Sequence, residues 1–223
     1  RNDNVNGHML APRSLEKLDS LANEGLPTLI NSFSNHEAID RIVSQAKGRI
    51  YSVITKSLSI GSISLNKLLH NSELLFFSGK EFYYNQGNEK KYDELTSESF
   101  NRVSAKEILK DMEKFVYDLG IKCPIVVTLG ENGAIVYSNE GDSSERNHVV
   151  LKPEIREDVR EHVRTYNKTT NTSGDTMEAV TTHVYANHPG NTLTFSVKRG
   201  SQEAVKQVLE YNASARDYQT IEL

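Results

Sequence analysis

Cysteine is almost absent: Cys123 is the only one in 223 residues. No disulfide can form within the chain and no cysteine zinc site can be built, which points to a reducing, intracellular setting. Positive charge is not in excess either. Lysine and arginine number 26 against 30 aspartates and glutamates, a formal net charge of -4. That balance gives no electrostatic footing for nucleic acid or an anionic membrane, so an anionic ligand has to be held locally. No apolar run approaches the roughly 20 residues of a membrane span, and mean hydropathy is -0.54. No signal peptide precedes the N-glycosylation triplets at Asn167, Asn171 and Asn212, so a cytoplasmic location is expected.

Several chemistries lack their signatures. No Gly-x-Gly-x-x-Gly follows a strand, which argues against a dinucleotide-binding dehydrogenase. No nucleophile elbow supports Ser-His-Asp hydrolysis. The seven histidines are scattered, and none pairs with a carboxylate at metal-ligand spacing. Repeats, heptads and low-complexity segments are missing too.

What is present is alternation of short β-rich runs with amphipathic segments. Ser14 is placed to cap a helix carrying Leu15, Leu18, Leu21 and Ala22, with Gly25 as its stop. Strands are predicted over 26–30, 50–54, 74–77 and 124–129, and helices over 35–48, 63–69, 104–120, 176–187 and 201–215. The clearest helix opens at Ser104 with Glu107 three residues on, a capping-box pattern, and stops at Gly120. Such alternation implies an α/β fold, a mainly parallel sheet with helices on both faces. The length suits one domain over 1–223. Within it, 139–170 reads as a polar insertion or loop region holding one short strand candidate at 149–151. Its charged run from Glu154 to Tyr166 suits a solvated surface or a partner-binding one. The polar start, Arg1 to Asn6, looks like a chain entered partway.

Two segments carry chemistry. In Val126-Val127-Thr128-Leu129-Gly130-Glu131-Asn132-Gly133-Ala134, two β-rich runs flank a turn whose glycines, Gly130 and Gly133, permit close approach of a flat ligand at a strand's carboxyl end. A plain hairpin would use the same residues. In Asn171-Thr172-Ser173-Gly174-Asp175-Thr176-Met177, small residues precede an apolar helix, leaving main-chain N–H groups free to face an anion in the field of the helix dipole. An aspartate there would repel phosphate, yet it suits a base that takes a proton from an attacking hydroxyl. Ser173 or Asp175 as a simple helix cap is the alternative.

Together these segments resemble the ribokinase-like (PfkB) carbohydrate kinases. In that family a Val-Thr-Leu-Gly-x-x-Gly-Ala strand-turn-strand is followed by Asp-Thr-x-Gly-Ala-Gly-Asp-[Ser/Thr]-Phe. Gly174, Asp175 and Thr176 match the second motif; Thr172 stands at its first glycine, Ser173 at its alanine and Met177 at its phenylalanine. The resemblance implies Asp175 as catalytic base, and Thr172, Ser173 and Gly174 as the anion hole. It also implies Thr128, Gly130 and Gly133 beside the nucleotide, and ATP with Mg²⁺. Leu74 to Glu81 resembles the family's strand leading into Asn-x-x-Glu, with Ser78 in place of asparagine, which implies that Glu81 organises Mg²⁺ through water. The implied activity is ATP-dependent phosphoryl transfer to a hydroxyl of a sugar or nucleoside. The family's N-terminal strands and lid, which contact the sugar, have no counterpart in this chain, so the missing half or a protein partner is expected to complete the site. Thr172, Ser78 and that missing part also suit an alternative: a catalytically degenerate kinase-like scaffold acting as an interaction protein.

Overall fold

The structure is a computed structural model that describes residues 19–20, 22–31, 36–58, 61–95, 100–138, 149–153, 173–188, 190–209 and 218–222, with Glu16 and Glu161. Its strands follow the apolar runs. β1 (Thr28–Asn31), β2 (Ile50–Ile54), β3 (Ser72–Ser78) and β4 (Ile125–Thr128) pair in parallel, with Leu29 opposite Tyr51, Tyr51 opposite Leu74 and Ser78 opposite Thr128. β5 (Ala134–Tyr137) turns back antiparallel on β4. β6 (Val149–Pro153) and β7 (Tyr218–Glu222) extend the sheet antiparallel, giving seven strands in chain order. A parallel pair needs a crossover connection, and helices supply it.

The helices are α1 (His36–Gln45), α2 (Ile63–Asn71), α3 (Gly79–Tyr84), α4 (Glu89–Leu95), α5 (Arg102–Leu119), α6 (Ser173–Asn187) and α7 (Leu193–Leu209). Strand alternation sorts the core into two layers. On one face Ile50, Ile54, Leu75, Phe77, Ile125, Val127 and Ile135 pack with Ile39 of α1, Leu65 and Leu68 of α2, Phe82 of α3 and Ile108, Met112 and Phe115 of α5. On the other, Tyr51, Val53, Leu74, Phe76, Val126 and Val136 pack with Met177 and Ala186 of α6 and Leu193, Val197 and Ala204 of α7. Helices therefore cover both faces, as the alternation implied. α6 and α7 approach closely at Gly200, where a Cβ would lie 2.2 Å from Thr181 Oγ1 and 2.4 Å from the Met177 carbonyl. Arg49, just before β2, donates a hydrogen bond to the Ala186 carbonyl near the carboxyl end of α6, where a cation is favoured by the helix dipole.

Three sequence expectations shift. α5 begins at Arg102, not Ser104, because the Asn101 side chain accepts hydrogen bonds from the amides of Val103 at 2.8 Å and Ser104 at 3.3 Å. The last predicted helix starts at Leu193 instead of residue 201, with the Thr192 hydroxyl accepting from the Phe195 amide at 3.2 Å. α3, α4 and β7 were not anticipated. The cap expected at Ser14, residue 35 at the start of the second predicted helix, and most of 139–170 apart from β6 lie outside the described residues. Among the described residues no helix is long and apolar enough to cross a membrane.

Candidate functional site

The carboxyl ends of β3 and β4 lie side by side, since Ser78 and Thr128 are register partners. Ser78 ends its strand and caps α3. Its hydroxyl accepts the Glu81 amide at 3.2 Å and donates to the Glu81 carboxylate at 2.7 Å. The one hydroxyl thus caps the helix and ties down the Glu81 carboxylate, so the Ser78 and Glu81 singled out in the sequence hold each other at the sheet's carboxyl edge. Thr128 is half-buried, and its hydroxyl reaches the Phe77 carbonyl at 3.5 Å, the limit of a hydrogen bond.

Immediately beyond Thr128 the chain makes one turn of 3₁₀ helix, Gly130–Asn132. Gly130 and Gly133 have φ of 60° and 93°, values that an L side chain rarely adopts. The turn closes on itself: Leu129 donates to the Gly133 carbonyl at 2.7 Å and Gly133 to the Gly130 carbonyl at 3.1 Å. The two glycines thus build a tight link from β4 to β5 and leave Gly130 exposed.

The other segment opens α6. Ser173 is the first helical residue, so Asp175 sits inside the first turn and is not the cap. Asp175 is exposed and Gly174 half-buried. Thr172 and the side chain of Ser173 lie outside the described residues. An acidic side chain in a first turn is favoured by the positive end of the helix dipole.

Sequence reasoning passed over one buried acid in α6. Glu178, one turn after Asp175, is 6% exposed and faces the interior among Met177, Thr181 and Thr182. Burial raises its carboxyl to about pH 8, and the carboxylates of Asp175 and then Glu81 add to the rise. The negative charges of Asp175 on α6 and Glu81 on α3 are therefore both felt at Glu178. The spacing of Glu178 from Asp175 was the available signal, because residues three apart on a helix share a face. Among the described residues no three acidic, histidine or cysteine groups lie close enough to hold a metal ion. Carboxylate oxygen nevertheless suits Mg²⁺, which usually keeps its waters and needs only one or two carboxylates beside a nucleotide's phosphates. A separate cavity of about 700 Å³ opens at the opposite edge, by Lys110, Tyr117, Lys122 and Tyr137, and takes no part in this site.

The fold has counterparts among solved structures. Phosphofructokinase-2 from Escherichia coli, in its tetrameric inhibited form, aligns with a TM-score of 0.58 at 19% identity, over 90% of this chain and 58% of that one. The fold is ribokinase-like. Ribokinase from Thermotoga maritima aligns at 0.57 and 16% identity over 87% of this chain and 54% of its own. Arabidopsis thaliana ribokinase complexed with ribose and ATP aligns at 0.58 and 15% identity over 92% and 55%. The chain thus spans less than two thirds of the length of these ribokinase-like structures. No protein-family model matches the sequence, and no curated protein matches it.

Proposed function

We propose that this chain is the nucleotide-binding and catalytic portion of an ATP-dependent kinase that phosphorylates a hydroxyl of a sugar or nucleoside. The observation that carries the reading is the exposed Asp175 in the first turn of α6, whose charge acts with that of Glu81 on the buried Glu178, within a ribokinase-like fold. In open α/β sheets ligands bind at that edge. Asp175 accepts the proton of the attacking hydroxyl, and the oxygen then attacks the γ-phosphorus of ATP with ADP leaving. Main-chain amides of Thr172, Ser173 and Gly174 steady the transferring phosphoryl group. Thr128, Gly130 and Gly133 flank the nucleotide. Glu81 is the residue that would hold Mg²⁺ through water, and the ion would supply neutralisation of phosphate charge. The remaining sugar contacts come from further chain or a protein partner. The setting is a reducing cytoplasm, where buried Cys123, its thiol pushed up to about 12 by desolvation, stays unreactive.

A second reading, a degenerate kinase-like scaffold, is favoured by one observation: a buried acid, Glu178, lies in the first turns of the helix whose start would receive phosphate. Thermal melting separates the two. Mg-ATP or Mg-ADP at a hundredfold excess over its Kd stabilises a binding protein by about 2.7 kcal/mol, and hence by roughly 5–10 °C at this size. No rise with either nucleotide leaves the scaffold. In the full-length protein, Asp175→Asn is expected to abolish phosphoryl transfer with nucleotide affinity nearly intact; unchanged turnover removes Asp175 from the mechanism.

A further inference from the structure

We propose that the cavity beside the carboxyl end of α5 is a second ligand site, built for a small metabolite with a flat apolar body and two negative charges. The inference is independent of the kinase reading, because the cavity lies at the other edge of the sheet.

Its place follows from the strand register. Tyr137, the last residue of β5, stands opposite Ile125, the first of β4. The cavity therefore opens at the amino ends of the parallel strands, whereas Ser78, Thr128 and the Gly130 turn stand at their carboxyl ends. The left-handed cap at Gly120 turns the chain out of α5, and Ile121 and Lys122 carry it toward β4. Val116, Ile121 and Tyr137 line the space and are themselves buried, which gives it an apolar floor. Tyr117 lines it too and is 86% exposed, so a large ring there still has apolar surface to cover. The volume, about 700 Å³, is that of pockets that hold metabolite-sized molecules.

Charge selects the ligand. Lys110, Lys114 and Lys122 line the cavity against a single acid, Glu113, in a chain whose net charge is -4. Lys114 is paired with Asp118 on its own helix. Lys110 and Lys122 have no ion-pair or hydrogen-bond partner among the described residues. Helix electrostatics does not account for these cations: the dipole favours them only within the last turn, and the last turn of α5 holds no basic residue. Two unpaired lysines beside an apolar floor match two anionic groups carried on one ring. Carboxylates or phosphates meet Lys110 and Lys122 in charge-assisted hydrogen bonds, and the ring covers Ile121 and the tyrosines. A bare inorganic anion would leave the floor wet, and an uncharged ring would leave the lysines unpaired.

The probe for the test is naphthalene-2,6-dicarboxylate, a flat ring with an anionic group at each end. The chain has no tryptophan, so naphthalene fluorescence can be read against it, and anisotropy during titration with the full chain reports binding. One probe per chain is expected, undisturbed by saturating Mg-ADP. Lys110→Ala combined with Lys122→Ala is expected to weaken binding about tenfold, and Tyr117→Ala about threefold. Lys47→Ala combined with Lys90→Ala removes the same charge outside the cavity and is expected to leave affinity unchanged. All five side chains are exposed, and melting without probe checks that each variant is folded. Binding that fails to saturate at millimolar probe overturns the inference. So does an equal loss in the two double variants, displacement by Mg-ADP, or inorganic pyrophosphate binding as tightly as the dicarboxylate. Hexaglutamate binding more tightly than the probe would make this face a docking surface for acidic protein and overturn the small-molecule assignment. Mg-ADP that fails to bind removes the kinase reading and leaves this inference to the probe.

Discussion

Glu178 also writes itself into the stability of the protein. Its folded pKa, about 8, stands above the ordinary value of 4.5, so between those two values the folded state holds a proton that the unfolded chain has given up. Stability from this group is therefore fully present below about pH 4.5, declines as pH rises, and is spent by about pH 8. Each unit of difference is worth about 1.4 kcal/mol, which makes a loss of ~2–4 kcal/mol reasonable across that window. Glu178→Gln has no proton to lose. Urea midpoints of wild type and variant should coincide near pH 5 and separate up to pH 8, with the variant the more stable. Parallel curves would mean that Glu178 ionises freely in the folded protein and is not buried as described. The residue scale is also where the sequence was hardest to read. A glutamate between Met177 and Val180 looks like solvent-facing polarity; only the packing of α6 against the sheet and α7 makes it interior.

At the scale of elements, legibility followed how local the cause was. β2 to β5 were readable because unbroken apolar runs need both faces covered, and α5 ended at Gly120 as its left-handed cap requires, with φ of 62°. α3 and α4 were missed because contacts distant in sequence hold them. Lys91 pairs with Asp111 at 2.7 Å and Glu107 at 3.2 Å on α5, and the Tyr83 hydroxyl donates to Asp111 at 2.6 Å. The Tyr92 ring lies so close to Gly79 that an added Cβ would come within 2.0 Å of it. No periodicity encodes those partners. The site followed the same division: the Gly130 turn is local and was legible, whereas the bonding of Ser78 to Glu81 and the burial of Glu178 were not read. The start of α5 offers a test of local cause. Asn101→Ala removes the acceptor for two amide groups and is expected to cost about 1 kcal/mol, read as a lower urea midpoint with an unchanged slope. Ser104→Ala, at the residue first taken for the cap, should cost a few tenths at most; the reverse ranking would restore Ser104 as the true start.

At the scale of the whole molecule, one sheet serves two cores. Val126 and Val127 are neighbours in β4 and both are wholly buried, yet Val126 joins the layer under α6 and α7 while Val127 joins the layer under α1, α2, α3 and α5. Every strand from β2 to β5 contributes to both layers, so melting either one strips its support from the same backbone that carries the other. The proposed site draws on helices from the two layers, Glu81 from α3 and Asp175 from α6, and its geometry depends on both remaining folded together. Val126→Ala and Val127→Ala should then each cost about 1–3 kcal/mol, as truncated core side chains do, and each should lower the same single transition. Far-ultraviolet circular dichroism, tyrosine absorbance and calorimetry ought to give coincident curves for wild type and both variants, with calorimetric and van't Hoff enthalpies in agreement. A second transition that responds to Val126→Ala but not to Val127→Ala would show that the two layers unfold separately, and α6 would then be free to part from Glu81 while the other core remained intact.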